Sequence, residues 1–458
     1  MHASEDTIAA IATPPGEGGV GIVRLSGPGA LGIGAGLFRS STGKNPLQGR
    51  QRVYHGHAVD AQGAVIDEVL LHLMPAPHSY TREDVAEINA HGGAGPLNAI
   101  VDAALALGAR LAQPGEFTQR AFMNGRIDLV QAEAVIDTIR ARTKAGLRAA
   151  QAAAAGKLSQ EIHALSDKLA HALACMEAAV DFPEEDLPDL VTPELIDNLR
   201  TTHTDMQRLL DTAEAGRLLR EGVTVAMAGR VNVGKSSLFN ALLRDNRAIV
   251  TEVAGTTRDR LEETITLGGV PVRLIDTAGL RVTNDAVEAI GVARAREALA
   301  QAQCVLLVLD AACEPTAEEE ALARELVALG TPLVRVLNKI DLAPEAAPPA
   351  LPANFVHTAR ISAVTGEGME AFEAALAQLL LGEAHIAADQ AMLTRAHQRD
   401  SLRRATENLG HMLDNLGQSP EFLAFDLREA LDALGEITGE TTPDDLLGRI
   451  FSQFCIGK

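Results

Sequence analysis

The chain has 458 residues, with 61 acidic against 40 basic side chains and a formal net charge of −21. Apolar residues make up 47%, enough for two to four packed domains. The charge balance excludes a uniformly basic nucleic-acid-binding surface, although it leaves room for a local basic patch.

Residues 1–121 are Gly-rich, with short alternating or apolar runs. The runs "GIVRL" and "DEVLLHLM" predict strands, and "GPLNAIVDAALALGA" predicts a helix. An α+β domain follows from that mixture. Residues 122–219 turn helical and Ala-rich. The stretch from Asp128 to Val180 has little Gly and no Pro, a length suited to two packed helices or more. "DFPEEDLP" then interrupts it. Residues 220–380 alternate strands with helices, the rhythm of an α/β sheet with crossover helices. The expected strands are "VTVAMAG", "PVRLID", "CVLLVLD", "PLVRVLN" and "NFVHTA". Residues 381–458 return to helix, in "QAMLTRAHQRDSLRRATENLGHMLDNL" and "EFLAFDLREALDALGEIT". The economical arrangement packs the two helical blocks together, with the α/β unit inserted between them.

The motifs that carry chemistry lie in the inserted region. "GRVNVGKSSLFN" fits G-x-x-x-x-G-K-S from Gly229 to Ser236, behind a strand pattern and ahead of a helical one. Loop amides of Asn232, Val233, Gly234 and Ser237 can face phosphate oxygens. Lys235 would reach the β/γ-phosphates, and Ser236 would hold Mg²⁺. "DTAG" places Asp276, Thr277, Ala278 and Gly279 at a strand end, where the carboxylate suits the Mg²⁺ shell and the glycine the γ-phosphate. "NKID" follows another strand. Asp341 can accept from the two donor nitrogens of guanine, an edge adenine lacks. Asn338 and Lys339 brace the base and loops, and Ser362–Ala363 suit a contact to the guanine carbonyl oxygen. This order of segments is that of a small GTPase-type domain. Between loop and "DTAG", the segment Thr251–Asp259 reads as a nucleotide-ordered switch or as a polar surface loop. Leu280 stands where Ras-like domains carry a water-orienting glutamine. Arg281, Asp285 and Glu288 are nearby polar groups among which the residues alone do not choose.

Beyond the inserted region, the chain resembles the MnmE (TrmE) family of tRNA-modifying GTPases almost end to end. The resemblance rests on "DTIAAIATPPGEGGVGIVRLSG", "PHSYTREDVAEINAHGG", "PGEFTQRAFMNGRIDL", "GTTRD", "DTAGLR" and "FSQFCIGK". It implies a multidomain α/β protein: an N-terminal α+β folate-binding-like and dimerisation domain, a central helical domain in two parts, and an inserted Ras-like P-loop α/β G domain. It implies a GTP hydrolase activated by K⁺, with Asn232, Thr251, Val253 and Thr256 around that ion. Ser236 and Thr257 match Mg²⁺ ligands, and Glu288 matches a catalytic glutamate that orients water. Arg24, Glu87, Arg126 and Lys458 match positions that bind a tetrahydrofolate derivative, in the 5-formyl or methylene form. Arg82 departs from the small residue common in "HSYTREDV", and Arg126 sits where a lysine also occurs.

The resemblance further implies a homodimer, an FAD-binding partner of the MnmG (GidA) type, and tRNA as substrate. Together they would add a carboxymethylaminomethyl or aminomethyl group to C5 of the wobble uridine. No dinucleotide-binding fingerprint is visible, so flavin is expected on the partner. Cys455 of "CIGK" either serves the tRNA chemistry or is a bystander. Arg395, Arg399, Arg403 and Arg404 form a basic run that reads either as a solvated helix face or as a phosphate contact. A ribosome-assembly GTPase and a regulatory GTP switch without covalent chemistry are the competing readings. Cys175, Cys304, Cys313 and Cys455 have no tight metal or redox spacing, so a reducing, cytoplasmic location without membrane insertion is expected.

Overall fold

The computed structural model of the chain describes residues 6–43, 45–48, 53–181, 192–246, 262–276, 299–382 and 388–458. It divides into two compact units. The first comprises Met1–Ile136, Ala154–Leu199 and Glu407–Lys458, and the second Asp137–Ala153 and Arg200–Thr406. Among the described residues, no helix is long and apolar enough to cross a membrane.

In the first unit, strands β1 (Ile8–Ile11), β2 (Gly18–Ser26), β3 (Phe38–Ser40), β4 (Val53–Val59), β5 (Val65–Met74), β6 (Val85–Gly92) and β7 (Arg110–Leu111) form one sheet. Their order is β3-β4-β5-β6-β2-β1-β7. Period-two alternation turns Val23 and Leu25 of β2 and Val69 and Leu71 of β5 to one face. Helices Ala30–Gly36 and Ala94–Ala106 cover that face, adding Ile33, Leu97, Ile100 and Ala104 to a single apolar cluster. The opposite pleat carries Arg24, and register sets it across from Glu87 of β6.

Helix Glu116–Met123 is fixed to this sheet by charge. Arg120 is almost wholly buried. Its guanidinium donates to Asp6 Oδ1 at 2.7 Å, to Glu116 Oε1 at 3.0 Å and to Glu83 Oε2 at 3.2 Å. Arg110 adds a second bond to Glu116 at 2.6 Å. Burial pushes the Glu116 carboxyl up, but the Arg110 and Arg120 guanidiniums and the Gln113 amide hold it below the ordinary carboxylate value.

The Ala-rich stretch forms three helices, Leu129–Arg140, Lys144–Ala154 and Lys157–Asp181. The breaks have local causes. Thr143 Oγ1 accepts the Gly146 amide at 3.0 Å and starts the second helix, while Gly156 at φ +79° ends it. Lys157–Asp181 packs along Pro420–Thr438. A further helix, Asp444–Phe451, and the residue Phe454 rest on Leu129, Ala132 and Ile136. The following tail meets the sheet edge. Gly457 has φ +93°, and a Cβ there would lie 2.3 Å from the Ile11 carbonyl oxygen, so only glycine fits.

In the second unit, strands β8 (Val223–Ala228), β9 (Glu262–Leu267), β10 (Val270–Asp276), β11 (Cys304–Asp310), β12 (Leu333–Asn338) and β13 (His357–Arg360) run in the order β13-β12-β11-β8-β10-β9. All neighbours are parallel except β9 with β10. The strands are apolar on both pleats because both faces are covered. Val225, Met227, Leu306, Val308, Val334 and Val336 pack with residues of helices Lys235–Asn246 and Met369–Leu381. Ala226, Val305, Leu307 and Leu337 pack with Ala323 and Leu326 of helix Ala317–Ala328.

Two expectations shift. "NFVHTA" yields a strand only from His357, after a turn in which the Ala353 amide reaches the Leu351 carbonyl at 2.8 Å. "QAMLTRAHQ" becomes helix only from Ala396. Before it, the Leu393 amide is taken by Thr212 Oγ1 and the Thr394 amide by Gln398 Oε1, both at 3.1 Å. In the basic run, Arg395 turns inward to Asp137 at 2.8 Å and is not a solvated residue.

Replacing Arg120 with Met should lower the stability of the first unit by about 3–5 kcal/mol at neutral pH, since it strands buried carboxylates. A carboxyl depressed by folding stabilises above its unfolded value and loses that contribution as pH falls through the folded value. Urea unfolding followed by circular dichroism should therefore show the gap between wild type and variant closing as pH drops below about 4.

Candidate functional site

In the second unit the motif residues converge at the carboxyl ends of the parallel strands. β8 lies between β10 and β11 there, at the point where strand order reverses. The loop after β8 curls through Gly229 at φ +147°, Asn232 at +67° and Gly234 at +95°. A Cβ on Gly234 would lie 2.2 Å from Asn338 Nδ2. The loop then enters helix Lys235–Asn246, which leaves its first amides pointing back along the axis. Ser236 and Ser237 are exposed on the first turn. The Lys235 ammonium lies across the loop, donating to the Gly229 and Arg230 carbonyls, each at 2.7 Å.

Asn338 joins three loops. Its Nδ2 donates to the Val233 carbonyl at 2.9 Å, and its Oδ1 accepts the Ala363 amide at 3.0 Å. That bond engages the Ala363 amide expected to face guanine. Ser362 is buried, and its Oγ accepts the Thr365 amide at 3.1 Å. Lys339, at φ +66°, donates to the Asn232 carbonyl at 2.8 Å. Asp341 is exposed three residues beyond Asn338, and Asp276 is buried at the end of β10. Thr251, Val253, Thr256, Thr257, Thr277, Ala278, Gly279 and Glu288 lie outside the described residues.

One residue of this site is absent from the sequence reading. Asp310 ends β11 and pairs with Lys339 at 2.6 Å. Burial pushes its carboxyl up, but the Lys339 ammonium, the Ala312 amide and the Arg230 charge hold it below the ordinary value. The signal in the sequence is an acid closing an otherwise apolar run, "CVLLVLD".

The first unit holds a second cluster. Arg24 Nε donates to Glu87 Oε1 at 2.7 Å, and Arg24 Nη1 to the Gly457 carbonyl at 3.3 Å. The Arg24 guanidinium lies 5.5 Å from the Tyr80 ring centroid and 5.6 Å from that of Phe117. Arg126 lies 4.5 Å from the Tyr80 ring, so one aromatic ring serves two cations. The Arg126 Nε is buried and has no hydrogen-bond partner among the described residues. Lys458 is half-buried. Burial and the Arg24 charge push its ammonium below the ordinary value, against the opposing pull of Cys455 and Glu87. Cys455 is exposed, and its carbonyl accepts the Lys458 amide at 3.3 Å. Arg82, at φ +60°, donates to the Asn124 carbonyl at 3.1 Å. Tyr80 and Phe117, the aromatic floor, were also not singled out from sequence. Their roles depend on a cross-strand geometry that no local pattern carries.

A phosphate loop on the first strand of this sheet, with N-K-x-D and S-A loops on the last two, defines a Ras-like P-loop GTPase carrying additional domains. Comparison with known proteins agrees. The family model described as "MnmE helical domain" matches residues 129–455, and that described as "GTP-binding protein TrmE N-terminus" matches residues 7–126. The chain is 47% identical to the tRNA modification GTPase MnmE of Syntrophotalea carbinolica, covering 99% of this chain and 100% of that one. It is 51% identical to the protein of the same name in Chloroflexus aurantiacus, with 99% and 100% covered. The chain belongs to the MnmE family of tRNA modification GTPases.

Gly234→Ala should cost at least about a hundredfold in GTP affinity, because the added carbon must displace Asn338 and strains a left-handed backbone. Equilibrium binding of a fluorescent GTP analogue checks this, with far-UV circular dichroism expected to be unchanged.

Proposed function

We propose that this chain uses GTP hydrolysis to drive modification of tRNA at C5 of the wobble uridine, adding a carboxymethylaminomethyl or aminomethyl group. It acts as a homodimer in the cytoplasm with an FAD-binding partner of the MnmG (GidA) type. Residues 1–121 form the folate-binding and dimerisation domain, 122–219 and 381–458 the helical domain, and 220–380 the inserted G domain.

The observation that carries the reading is the cluster around Tyr80. Arg24 and Arg126 share the Tyr80 ring, Lys458 lies within reach of Arg24 and Glu87, and the buried Arg126 Nε has no partner among the described residues. Such a surplus of cations over an aromatic floor fits a ligand that has carboxylates at one end and ring amine donors at the other. A tetrahydrofolate derivative in the 5-formyl or methylene form meets both demands. When bound it supplies the one-carbon unit. Arg24, Glu87, Arg126 and Lys458 would hold it, with Glu87 accepting from amine donors of its pterin. Cys455, exposed next to Lys458, is available to the tRNA chemistry.

At the nucleotide site, Lys235 leaves its loop carbonyls for the β/γ-phosphates. Asp341 accepts the two guanine donors, and the Ser362–Ala363 segment faces the guanine carbonyl oxygen. Ser236, exposed on the first helical turn, fits a Mg²⁺ ligand and would hold the ion with Thr257, with Asp276 supporting the site. Asn232 fits a K⁺ ligand because it carries an amide oxygen on an exposed residue of the phosphate loop. Thr251, Val253 and Thr256 complete that shell. Glu288 orients the attacking water, since Leu280 cannot bond it. Attack on the γ-phosphorus breaks the bond to the β-phosphate oxygen. Thr277, Ala278 and Gly279 would respond to the γ-phosphate and to its loss.

The reading is tested in cells lacking the gene, complemented in turn by wild type, Glu288→Ala and Arg126→Ala, with nucleosides of digested tRNA measured by mass spectrometry. Wild type should restore the modified wobble uridine, and neither variant should. Purified Glu288→Ala should bind GTP normally while losing at least about a hundredfold in turnover. Purified Arg126→Ala should hydrolyse GTP normally yet give no calorimetric signal with 5-formyltetrahydrofolate. Turnover should be faster in K⁺ than in Na⁺; equal rates in both salts would remove Asn232 from its role.

A further inference from the structure

Asp310 closes β11 directly beside Asn338, its register partner at the end of β12. The carboxylate is largely buried, and both of its oxygens are engaged. Oδ1 accepts the Ala312 amide at 3.0 Å, and Oδ2 accepts the Lys339 ammonium at 2.6 Å. The same ammonium donates onward to the Asn232 carbonyl at 2.8 Å. Asn232 and Lys339 both hold left-handed backbones, at φ +67° and +66°. That conformation is uncommon for a non-glycine residue, and less accessible to lysine than to asparagine, so contacts must hold Lys339 there. A lysine head is a compact charge on a flexible stem and sets no geometry of its own. An anion at 2.6 Å determines where it sits.

The two oxygens separate two roles. Closing the turn at Ala312 needs only an acceptor at Oδ1, which asparagine would supply equally well. Holding the ammonium needs a second acceptor at Oδ2, where asparagine would present an N–H that cannot accept. The turn therefore does not account for an acid at this position, whereas the lysine does.

We propose that Asp310 is a positioning residue for nucleotide binding. By anchoring Lys339 it fixes the Asn232 carbonyl, so the loop that follows β12 shapes the loop that grips phosphate. Asp310 touches neither base nor phosphate and acts only through the ammonium.

A double-mutant cycle on the full-length protein tests this, with affinity for a fluorescent GDP analogue measured in Mg²⁺ buffer. Asp310→Asn keeps the turn bond and should weaken binding about tenfold, the scale of one charge-assisted hydrogen bond. Its thermal midpoint without nucleotide should stay at the wild-type value. In a Lys339→Met background the same change should have no further effect. Asp310→Glu, which restores the charge, should recover part of the lost affinity. The proposal is overturned if Asp310→Asn binds like wild type, or if it weakens binding equally in both backgrounds. It is also overturned if Asp310→Glu is as weak as Asp310→Asn, or if Asp310→Asn lowers the midpoint in step with its affinity.

Discussion

The nucleotide site depends on one amide side chain. Asn338 is 2% exposed, and it bonds backbone groups of two other loops. Its partner Val233 is 105 residues away in the chain. In so dry a place each bond must be made, because a stranded polar group costs about 1–3 kcal/mol. The amide also explains the glycine facing it, since any side chain at Gly234 would occupy its position. The loops that follow β8, β12 and β13 are therefore not separate features laid on a sheet. They share a buried hydrogen-bond junction, and the parallel strands bring its members to one edge.

The first unit solves a different electrostatic problem. The chain as a whole is strongly acidic, yet Arg24 and Lys458 lie by Glu87 while Arg24 and Arg126 share the Tyr80 ring. The two facts are compatible because net charge is a sum over the whole surface, whereas the potential in a half-buried cluster is set within a Debye length. What keeps the cations together is a frame. The Arg120 network fixes helix Glu116–Met123, and that helix supplies Phe117 beneath Arg24 and Thr118 to the Tyr80 hydroxyl at 2.9 Å. Charges that would repel in water are spaced over aromatic rings, which favour them.

Much of this was legible in the sequence, and the parts that were not share a cause. The phosphate loop, "NKID" and the aspartate that opens "DTAG" could be placed at strand ends because each follows a strand pattern. The strand "CVLLVLD" matched its span residue for residue, since a run buried on both faces leaves little ambiguity. Helix boundaries in the Ala-rich stretch were harder, because alanine favours helix everywhere and marks no end. Only Thr143 and Gly156 mark the breaks, and both are small local signals within a strong background. "QAMLT" failed for another reason: Thr212, far along the chain, takes an amide the helix would have used. The Asp310–Lys339 pair and the Tyr80 floor were invisible because each needs a third residue from another strand. Without the register, each member reads as an ordinary turn acid or core aromatic.

The bond from Arg24 to the Gly457 carbonyl joins residues 433 apart in the chain. During synthesis every strand of the second unit leaves the ribosome before that closing contact can exist. The entropy of bringing such distant points together is about 5 kcal/mol for a flexible chain. A prefolded insert leaves fewer conformations to search. The early sheet must therefore persist, with one flank of its cationic cluster uncovered, until the late segment docks. Refolding of the whole chain carries no such order, because both ends are present at once, so only synthesis leaves the cluster open for that interval.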